Sequence, residues 1–255
     1  MRITRTIAET RAALADVDDV GLVPTMGAYH EGHVALFRAA RRESGTVVAS
    51  LFVNPAQFGD PADLARYPRD EAADAALAQK EGVDLLFAPA TEELYPPGYE
   101  TWIEVEHASR SLEGDARPGH FRAVATICLK LFNIVRPRRA YLGQKDAQQV
   151  EVVRRMIRDL DLEIDVRVLP TVRDEDGLAF SSRNALLSPE ERRAALALPR
   201  ALATRDLGKA RAMLDGLDVD YLEVAPFDPP TLAGAVRVGS VRLIDNVPLD
   251  QGGRR

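Results

Sequence analysis

Apolar residues along the chain form short continuous runs that alternate with helical patterns. The runs cover residues 20–23, 46–53 and 83–87 and are rich in Val, Leu and Phe. Between them, apolar residues at helical spacing predict helices that start near residues 34 and 71. Short β-branched runs are typical of strands buried on both faces of a sheet. The β-α-β-α-β order therefore predicts parallel strands.

The alternation continues with predicted helices over about 121–135 and 147–160 and predicted strands over 138–142 and 164–169. Residues 101–105 are expected to add an edge strand. The predicted fold class is α/β, a Rossmann-like parallel sheet with helices on both faces.

After the last of these strands the pattern changes. Ser188 as a cap and Pro189 at the first helical position predict a helix that continues to about Arg205. Short strands are predicted over 221–224, 235–238 and 241–244. The sequence thus predicts a larger domain over residues 1–171 and a small α+β domain over residues 172–255.

Composition limits the classes of function. The 255 residues are 46% hydrophobic and carry a formal net charge of −6, which gives no general attraction to nucleic acid or anionic membranes. No apolar run approaches the roughly 18 residues of a membrane span, and the amino terminus lacks a signal-like segment, so a cytoplasmic location is expected. Cys128, the single cysteine, lies in an apolar run and is expected to be a buried thiol.

The candidate chemistry begins in the turn Pro-Thr-Met-Gly-Ala-Tyr-His-Glu-Gly-His at residues 24–33. It leaves a predicted strand and enters a predicted helix, whose first N–H groups favour phosphate. Gly27 and Gly32 allow close backbone approach. His30 and His33 lie three residues apart, so their rings are expected on one face. A zinc-protease motif needs its histidines four apart, so an anion site is favoured over zinc or a purely structural turn.

Polar residues also follow two further predicted strands. Asn54 and Gln57 come after the strand that ends at residue 53, and Lys145 and Asp146 lie at the start of the helix that follows residues 138–142. In an open parallel sheet, ligands bind at the carboxyl ends of the strands.

Several sequence blocks together resemble a known family. They are Pro24 to His33, Phe52 to Phe58, Tyr67 to Arg69, Arg117 to Phe121, Gly143 to Gln149, Gly177 to Asn184 and Leu243 to Asn246. In this order they resemble the pantothenate synthetase (pantoate–β-alanine ligase) family, within the nucleotidyltransferase superfamily that includes class I aminoacyl-tRNA synthetases. The blocks span most of the chain, and the set is specific although no single block is.

The resemblance implies an ATP-dependent ligase. Pantoate and ATP would form pantoyl adenylate and pyrophosphate, and the amine of β-alanine would then displace AMP to give pantothenate. Mg²⁺ would accompany ATP, the small domain would close over the nucleotide, and the larger domain would form a homodimer.

The resemblance also implies roles for individual residues. The catalytic set is His30, His33, Lys145 and Arg183. The ATP-binding set adds Pro24, Thr25, Met26, Gly143, Asp146, Phe180, Ser181 and Ser182 to those four. The pantoate-binding set is Met26, Asn54, Gln57 and Gln149, and Asp74 matches an acidic position associated with Mg²⁺.

Other residues stay open. Arg117 either binds an anion or pairs with a nearby acid, and His120 is either functional or a structural residue at a helix start. Neither His107 nor Trp102 lies in a motif, and both are expected to be packing or surface residues.

The chain departs from the family pattern at several positions. Phe180 replaces a usual Met, Leu186 a usual Tyr and Ala123 a usual Gly. The segment after about Ala197 is shorter than usual, and the chain ends soon after Asp250, which puts closure of the lid in question more than the chemistry.

Two other classes of function share part of this pattern. An adenylyl- or cytidylyltransferase that makes a dinucleotide shares the His-x-Gly-His element but leaves Gln57 and Gln149 without a purpose. A nucleotide-binding protein without turnover would suit a shortened second domain, but it would not need both histidines together with Lys145.

Overall fold

The computed structural model describes residues 1–249, which form two compact units. The first comprises Met1–Leu142 with Val152–Leu169, and the second Gly143–Glu151 with the described residues from Pro170 onward. Residues 250–255 of the predicted small domain, with the chain end after Asp250, lie outside the described residues. The boundary predicted after residue 171 is near the start of the second unit's long segment. Residues 143–151, predicted with the larger domain, instead group with the second unit, because the turn at 144–146 bonds to Asn246.

The first unit is built on a six-stranded parallel sheet, which confirms the predicted fold class, although the edge strand at residues 2–4 was not predicted. Its strands are β1 (Arg2–Thr4), β2 (Val20–Thr25), β3 (Thr46–Leu51), β4 (Leu85–Phe87), β5 (Arg139–Gly143) and β6 (Asp165–Leu169). Their order in the sheet is β1-β4-β3-β2-β5-β6. The order changes direction at β2, which has β3 on one side and β5 on the other. This is the switch point at which open α/β sheets bind ligands.

Helices flank this sheet. They are α1 (Ile7–Ala13), α2 (Glu31–Glu43), α3 (Pro61–Arg66), α4 (Glu71–Lys80), α5 (Thr91–Leu94), α6 (Glu113–Ala116), α7 (His120–Val135) and α8 (Ala147–Asp159). The apolar stripe of α2 packs on the sheet, where Phe37, Val47 and Leu86 are fully buried. The pairing of Thr25 with Leu51 places the carboxyl ends of β2 and β3 at the same edge.

Between Pro170 and Leu249 the second unit contains an antiparallel sheet and the helices α9 to α11, which confirms the predicted α+β class. The elements are α9 (Pro189–Ala195), α10 (Ala197–Leu202), α11 (Leu207–Met213), β7 (Asp218–Ala225), β8 (Thr231–Val238) and β9 (Val241–Pro248). Ser188 caps α9 through a capping box with Glu191. The helices and the sheet share an apolar core that includes Leu198, Leu202 and Leu232.

Two predicted elements differ from the structure. Residues 101–105 form no strand, because the N–H of Ile103 donates to the hydroxyl of Thr126 on α7 at 3.0 Å instead of to a strand. The helix predicted from Ser188 to Arg205 is interrupted at Leu196. The cause is Pro199, which has no N–H to donate and whose ring conflicts with the carbonyl four residues earlier, at Ala195.

Among residues 1–249, no helix combines the length and the apolar character that crossing a bilayer requires.

Candidate active site

The turn between β2 and α2 is closed by its two histidines. His30 is the N-cap of α2, and its Nδ1 accepts the N–H of Gly32 at 3.1 Å. His33, three residues on, accepts the N–H of His30 on its own Nδ1 at 3.3 Å. This is a capping box in which imidazoles replace the usual hydroxyl and carboxylate. The helix therefore begins one residue after His30, at Glu31.

These bonds assign the hydrogens of both rings. A neutral imidazole that accepts a hydrogen bond on Nδ1 carries its hydrogen on Nε2. His30 and His33 are therefore both Nε2–H donors, and their ring centroids lie 4.2 Å apart. They stand at the amino end of a 13-residue helix, where the backbone dipole is positive. Together these features favour a bound phosphate group.

Asp74 on α4 holds the middle of the same turn. Its two carboxylate oxygens accept the N–H groups of Ala28 and Tyr29, each at 2.8 Å, and its side chain is buried. Tyr29 also packs edge-on against Phe37 and against the ring of His33. Burial raises the pKa of the Tyr29 phenol above its usual range. These contacts fix the turn just before His30 and pack Tyr29 against α2.

The magnesium prediction concerns the same carboxylate. Within residues 1–249, no group of three or more His, Cys, Asp or Glu is arranged to hold a metal ion. Each Asp74 oxygen already accepts one amide hydrogen, although a carboxylate oxygen has a second acceptor position. These residues do not form a protein cage for a metal. They fit only an ion held mainly by phosphates, as Mg²⁺ often is.

Substitution of Gly27 by Ala should disturb this turn. Gly27 has a φ of +84°, and an added Cβ would lie 2.5 Å from Leu51 Cδ1 and 2.8 Å from the Asp74 carboxylate. We expect a loss of about 1–3 kcal/mol in unfolding free energy from the strained backbone, together with a tenfold or greater fall in kcat, on the order of one lost positioning contact. Thermal unfolding and steady-state kinetics measure the two effects.

Gly82→Ala is the matched control for Gly27→Ala. Gly82 has the same φ of +84°, and its added Cβ would meet only the flexible side chain of Arg41. It should lose similar stability and keep its turnover. Equal kinetic losses in the two variants would show that the turn has no special role.

Asn54 and Gln57 lie at the end of β3, at the same sheet edge. The side chain of Asn54 is buried, and its Oδ1 accepts the N–H of Ala56 at 3.2 Å, which caps the short 3-10 turn Pro55–Gln57. Its Nδ2 donates to Gln57 Oε1 at 3.0 Å. Asn54 therefore orients the amide of Gln57 and directs the Gln57 Nε2 hydrogens away from itself.

Arg117 and His120, which the sequence left open, both contact Gln57. Arg117 Nη2 donates to the backbone carbonyl oxygen of Gln57 at 3.2 Å, and His120 Nδ1 lies 3.3 Å from the same oxygen. Arg117 Nη1 lies 3.1 Å from His120 Nε2. The bonds are mutually consistent if His120 carries its hydrogen on Nδ1. Arg117 also pairs with a nearby acid, Glu113, at 4.0 Å, as one of the two sequence alternatives expected. The Arg-Pro-Gly-His block thus supports the predicted pantoate-binding turn.

Met26 and Asp74 both line a cavity of about 380 Å³ in the first unit. Its walls include Phe52, Pro55 and Pro68, with the charged residues Arg69, Asp70 and Glu71 among the others. Apolar walls with a few charged groups suit a small organic acid or amino acid.

The remaining predicted site residues belong to the second unit. The 3-10 turn Gln144–Asp146 carries Lys145, whose Nζ lies 3.6 Å from Asp146 Oδ1. Gln149 follows in the first turn of α8 and is partly exposed.

A second loop of this unit carries Phe180, Ser181, Ser182 and Arg183. Ser181 caps the 3-10 turn Ser182–Leu186 by accepting the N–H of Arg183 at 3.2 Å. Asn184 Nδ2 donates to the Ala179 carbonyl at 2.9 Å. Leu186, where the family usually has Tyr, is 70% exposed. Arg183 thus lies on a short turn that is braced by residues of its own loop.

Residues outside the motifs have structural positions. Trp102 stacks on Tyr95 with centroids 5.9 Å apart and lies under the Arg122 guanidinium. His107 is exposed. Cys128 is a buried free thiol, and burial raises its pKa to about 12.

Comparison with known proteins identifies the family. A family model described as pantoate-beta-alanine ligase matches residues 2–248. The chain belongs to the pantoate–β-alanine ligase family. Two relatives named pantothenate synthetase are each 48% identical to it. The one from Acidobacterium capsulatum covers 98% of both chains, and the one from Chloroflexus aurantiacus covers 100% of both.

The alignment with the Chloroflexus relative spans 281 positions, more than the 255 residues of this chain. This member of the pantoate–β-alanine ligase family therefore lacks internal residues that its relative has. The shortening expected from the sequence is real, and its place after Ala197 stays a prediction.

Solved structures of the pantoate–β-alanine ligase family have the same fold. A pantothenate synthetase from Thermus thermophilus is 47% identical with a TM-score of 0.92, and covers 97% of this chain and 99% of its own. A pantoate-beta-alanine ligase from Francisella tularensis, described as complexed with beta-gamma ATP and beta-alanine, is 33% identical with a TM-score of 0.87. It covers 97% of both chains.

Proposed function

We infer that this chain is an ATP-dependent ligase that joins pantoate to β-alanine and forms pantothenate. Its family membership and the ATP and β-alanine complex of a relative support this function. The observation within the chain that carries it is the histidine capping box. Two Nε2–H donors at a helix amino end are what the phosphates of ATP require.

In the first step, a pantoate carboxylate oxygen attacks the α-phosphorus of ATP and pyrophosphate leaves. Negative charge grows on the phosphate oxygens in the transition state, and preorganised donors stabilise it. We assign this role to His30 and His33, with Lys145 and Arg183 as the cations. Gln57 and Gln149 would hold pantoate, because amide side chains can both donate to a carboxylate and accept from a hydroxyl.

In the second step, the neutral amine of β-alanine attacks the acyl carbon of pantoyl adenylate. The amide bond forms, the acyl–phosphate bond breaks, the amine nitrogen loses a proton to solvent and AMP leaves with its charge on phosphate. The donors that stabilised the first transition state would also stabilise this leaving group.

Further assignments complete the proposal. Gly143 and Asp146 would bind the ribose, Pro24, Thr25 and Met26 would line the nucleotide and pantoate site, and Phe180, Ser181 and Ser182 would cover the nucleotide. Mg²⁺, with Asp74 as one protein ligand, would neutralise charge on the ATP phosphates. We propose a cytoplasmic homodimer formed through the first unit, which sedimentation measurements would test.

The reaction is tested directly with purified protein, ATP, Mg²⁺ and pantoate. Pyrophosphate should be released, and AMP should accumulate only after β-alanine is added. A stable dinucleotide product would instead indicate a nucleotidyltransferase. Calorimetric binding of ATP by folded protein that releases no pyrophosphate would indicate a binding protein without turnover.

Gln149→Ala should mainly weaken pantoate binding. Loss of hydrogen bonds worth about 1–1.5 kcal/mol corresponds to roughly a tenfold rise in the KM for pantoate. The KM for ATP serves as the internal control and should change little. An unchanged KM for pantoate would remove Gln149 from the pantoate site.

A further inference from the structure

Asn246 lies buried on the side of β9 that faces away from the apolar core. Val241 and Leu243 belong to that core, and side chains alternate along a strand, so Asn246 projects from the opposite face. The residue is only 5% exposed. A buried amide needs hydrogen-bonding partners, because leaving it unpaired is costly.

The partners of Asn246 are found on the turn that carries Lys145. Its Nδ2 donates to the carbonyl oxygens of Gln144 and Lys145, both at 2.9 Å. Its Oδ1 accepts from Gln144 Nε2 at 3.0 Å. Both amide hydrogens and the amide oxygen are therefore used on one three-residue turn within the second unit.

The turn at residues 144–146 leads directly into α8 and therefore carries N–H groups of a helix amino end, which lack partners within the helix. Gly143 precedes it and makes no side-chain capping bond. A 3-10 turn at a helix start has poorer hydrogen-bond geometry than the helix itself, so an external support has a large effect on where this turn lies. Asn246 supplies that support from a strand that is about a hundred residues further along the chain.

We propose that Asn246 is a positioning residue that fixes the backbone of residues 144–145 and thereby directs the Lys145 ammonium group toward the ATP phosphates. This role rests on the proposed function, because it requires Lys145 to act on ATP. It gives the carboxy-terminal Leu-Ile-Asp-Asn block a mechanistic purpose that the resemblance left unstated.

The residue before Asn246 has a matching arrangement. Asp245 is buried and binds Arg173 through both guanidinium Nη atoms, at 2.6 and 3.0 Å. Arg173 pairs with Ala179, directly before the loop of Phe180 and Ser181. Adjacent residues of β9 thus support both segments of the second unit to which we assign phosphate binding.

A double-mutant cycle between Asn246→Ala and Lys145→Met tests the proposal. Asn246→Ala should lower kcat for pyrophosphate release about tenfold or more, with less than about a threefold change in the KM for pantoate. In the Lys145→Met background, the same substitution should change kcat by less than about threefold, because its effect passes through the lysine. If the fold losses in kcat of the two single variants multiplied in the double variant, the proposal would be overturned.

Asn246→Asp provides a second variant of nearly the same size. It keeps an acceptor for Gln144 but cannot donate to the two carbonyls, so it should be as slow as Asn246→Ala. Wild-type turnover in either folded variant would overturn the proposal. If the wild-type protein released no pyrophosphate, the proposed function would fail, which is a separate result.

Thr231→Val is the matched control for a purely structural effect. Thr231 is buried on β8 of the same sheet, and its hydroxyl donates to the Pro229 carbonyl at 2.9 Å. The variant should unfold at a lower temperature and retain wild-type kcat. A fall in kcat equal to that of Asn246→Ala would show that any loss of stability in this sheet slows the enzyme, which would overturn the specific role of Asn246.

Discussion

Replacement of His30 by Ala should slow formation of pantoyl adenylate by about 10²–10³-fold, as loss of one preorganised donor commonly does. His30 is the N-cap of α2, and its Nδ1 accepts the N–H of Gly32, which leaves the ring hydrogen on Nε2. The lost donor acts on charge that develops only in the transition state, so kcat should fall more than ATP binding. Single-turnover pyrophosphate release measures this step.

The His30→Ala variant also loses a helix cap, which costs about 0.5–2 kcal/mol of stability. His30→Asn separates the two effects, because Asn is a good N-cap but does not present the Nε2–H donor. It should recover most of the thermal stability and stay as slow as His30→Ala. If His30→Asn recovered turnover as well, the rate loss would come from the cap, and the catalytic assignment would be wrong.

Lys145→Met should reduce adenylate formation by a similar factor, about 10²–10³-fold. The methionine keeps an unbranched apolar stem and removes the ammonium charge. Lys145 is 22% exposed, and its carbonyl is fixed by Asn246, so the turn itself should persist. The fall in kcat should be accompanied by a smaller rise in the KM for ATP. Rapid-quench kinetics with limiting ATP would separate the two.

Lys145→Arg is the informative companion to that variant. It keeps the positive charge but replaces a compact ammonium by a planar fork of different reach. We expect intermediate activity, above that of Lys145→Met and below that of the wild type. Full activity in Lys145→Met would contradict a role for this cation in the transition state.

The amino-acid pattern predicted the parallel sheet, apart from its edge strand β1, because the central strands β2, β3 and β4 are continuous apolar runs between helical segments. It did not predict α11 or the break before α10. Both lie in the second unit, where short helices depend on packing against one sheet more than on their own sequence. The extent of β8 and β9 was also underestimated, since Gly234 and Asp245 are poor strand formers held by their neighbours.

In the candidate site, too, local features could be predicted from sequence and long-range contacts could not. The anion site at residues 24–33 could be predicted from its glycines, its histidines and the helix that follows, because these are local properties. The sequence could not decide between the alternative roles of Arg117 and His120, because both contact the backbone carbonyl of Gln57, about 60 residues away in the chain.

Local chemistry therefore establishes the fold class, the strand-to-helix turns and the residue types that suit phosphate, amide and carboxylate groups, because spacing and composition carry that information directly. Long-range contacts establish how those residues are held. Asp74 binding the amides of Ala28 and Tyr29, and Asn246 binding the Lys145 turn, join segments that are about 45 and 100 residues apart. Such pairings depend on how strands and helices pack, and no local pattern specifies them.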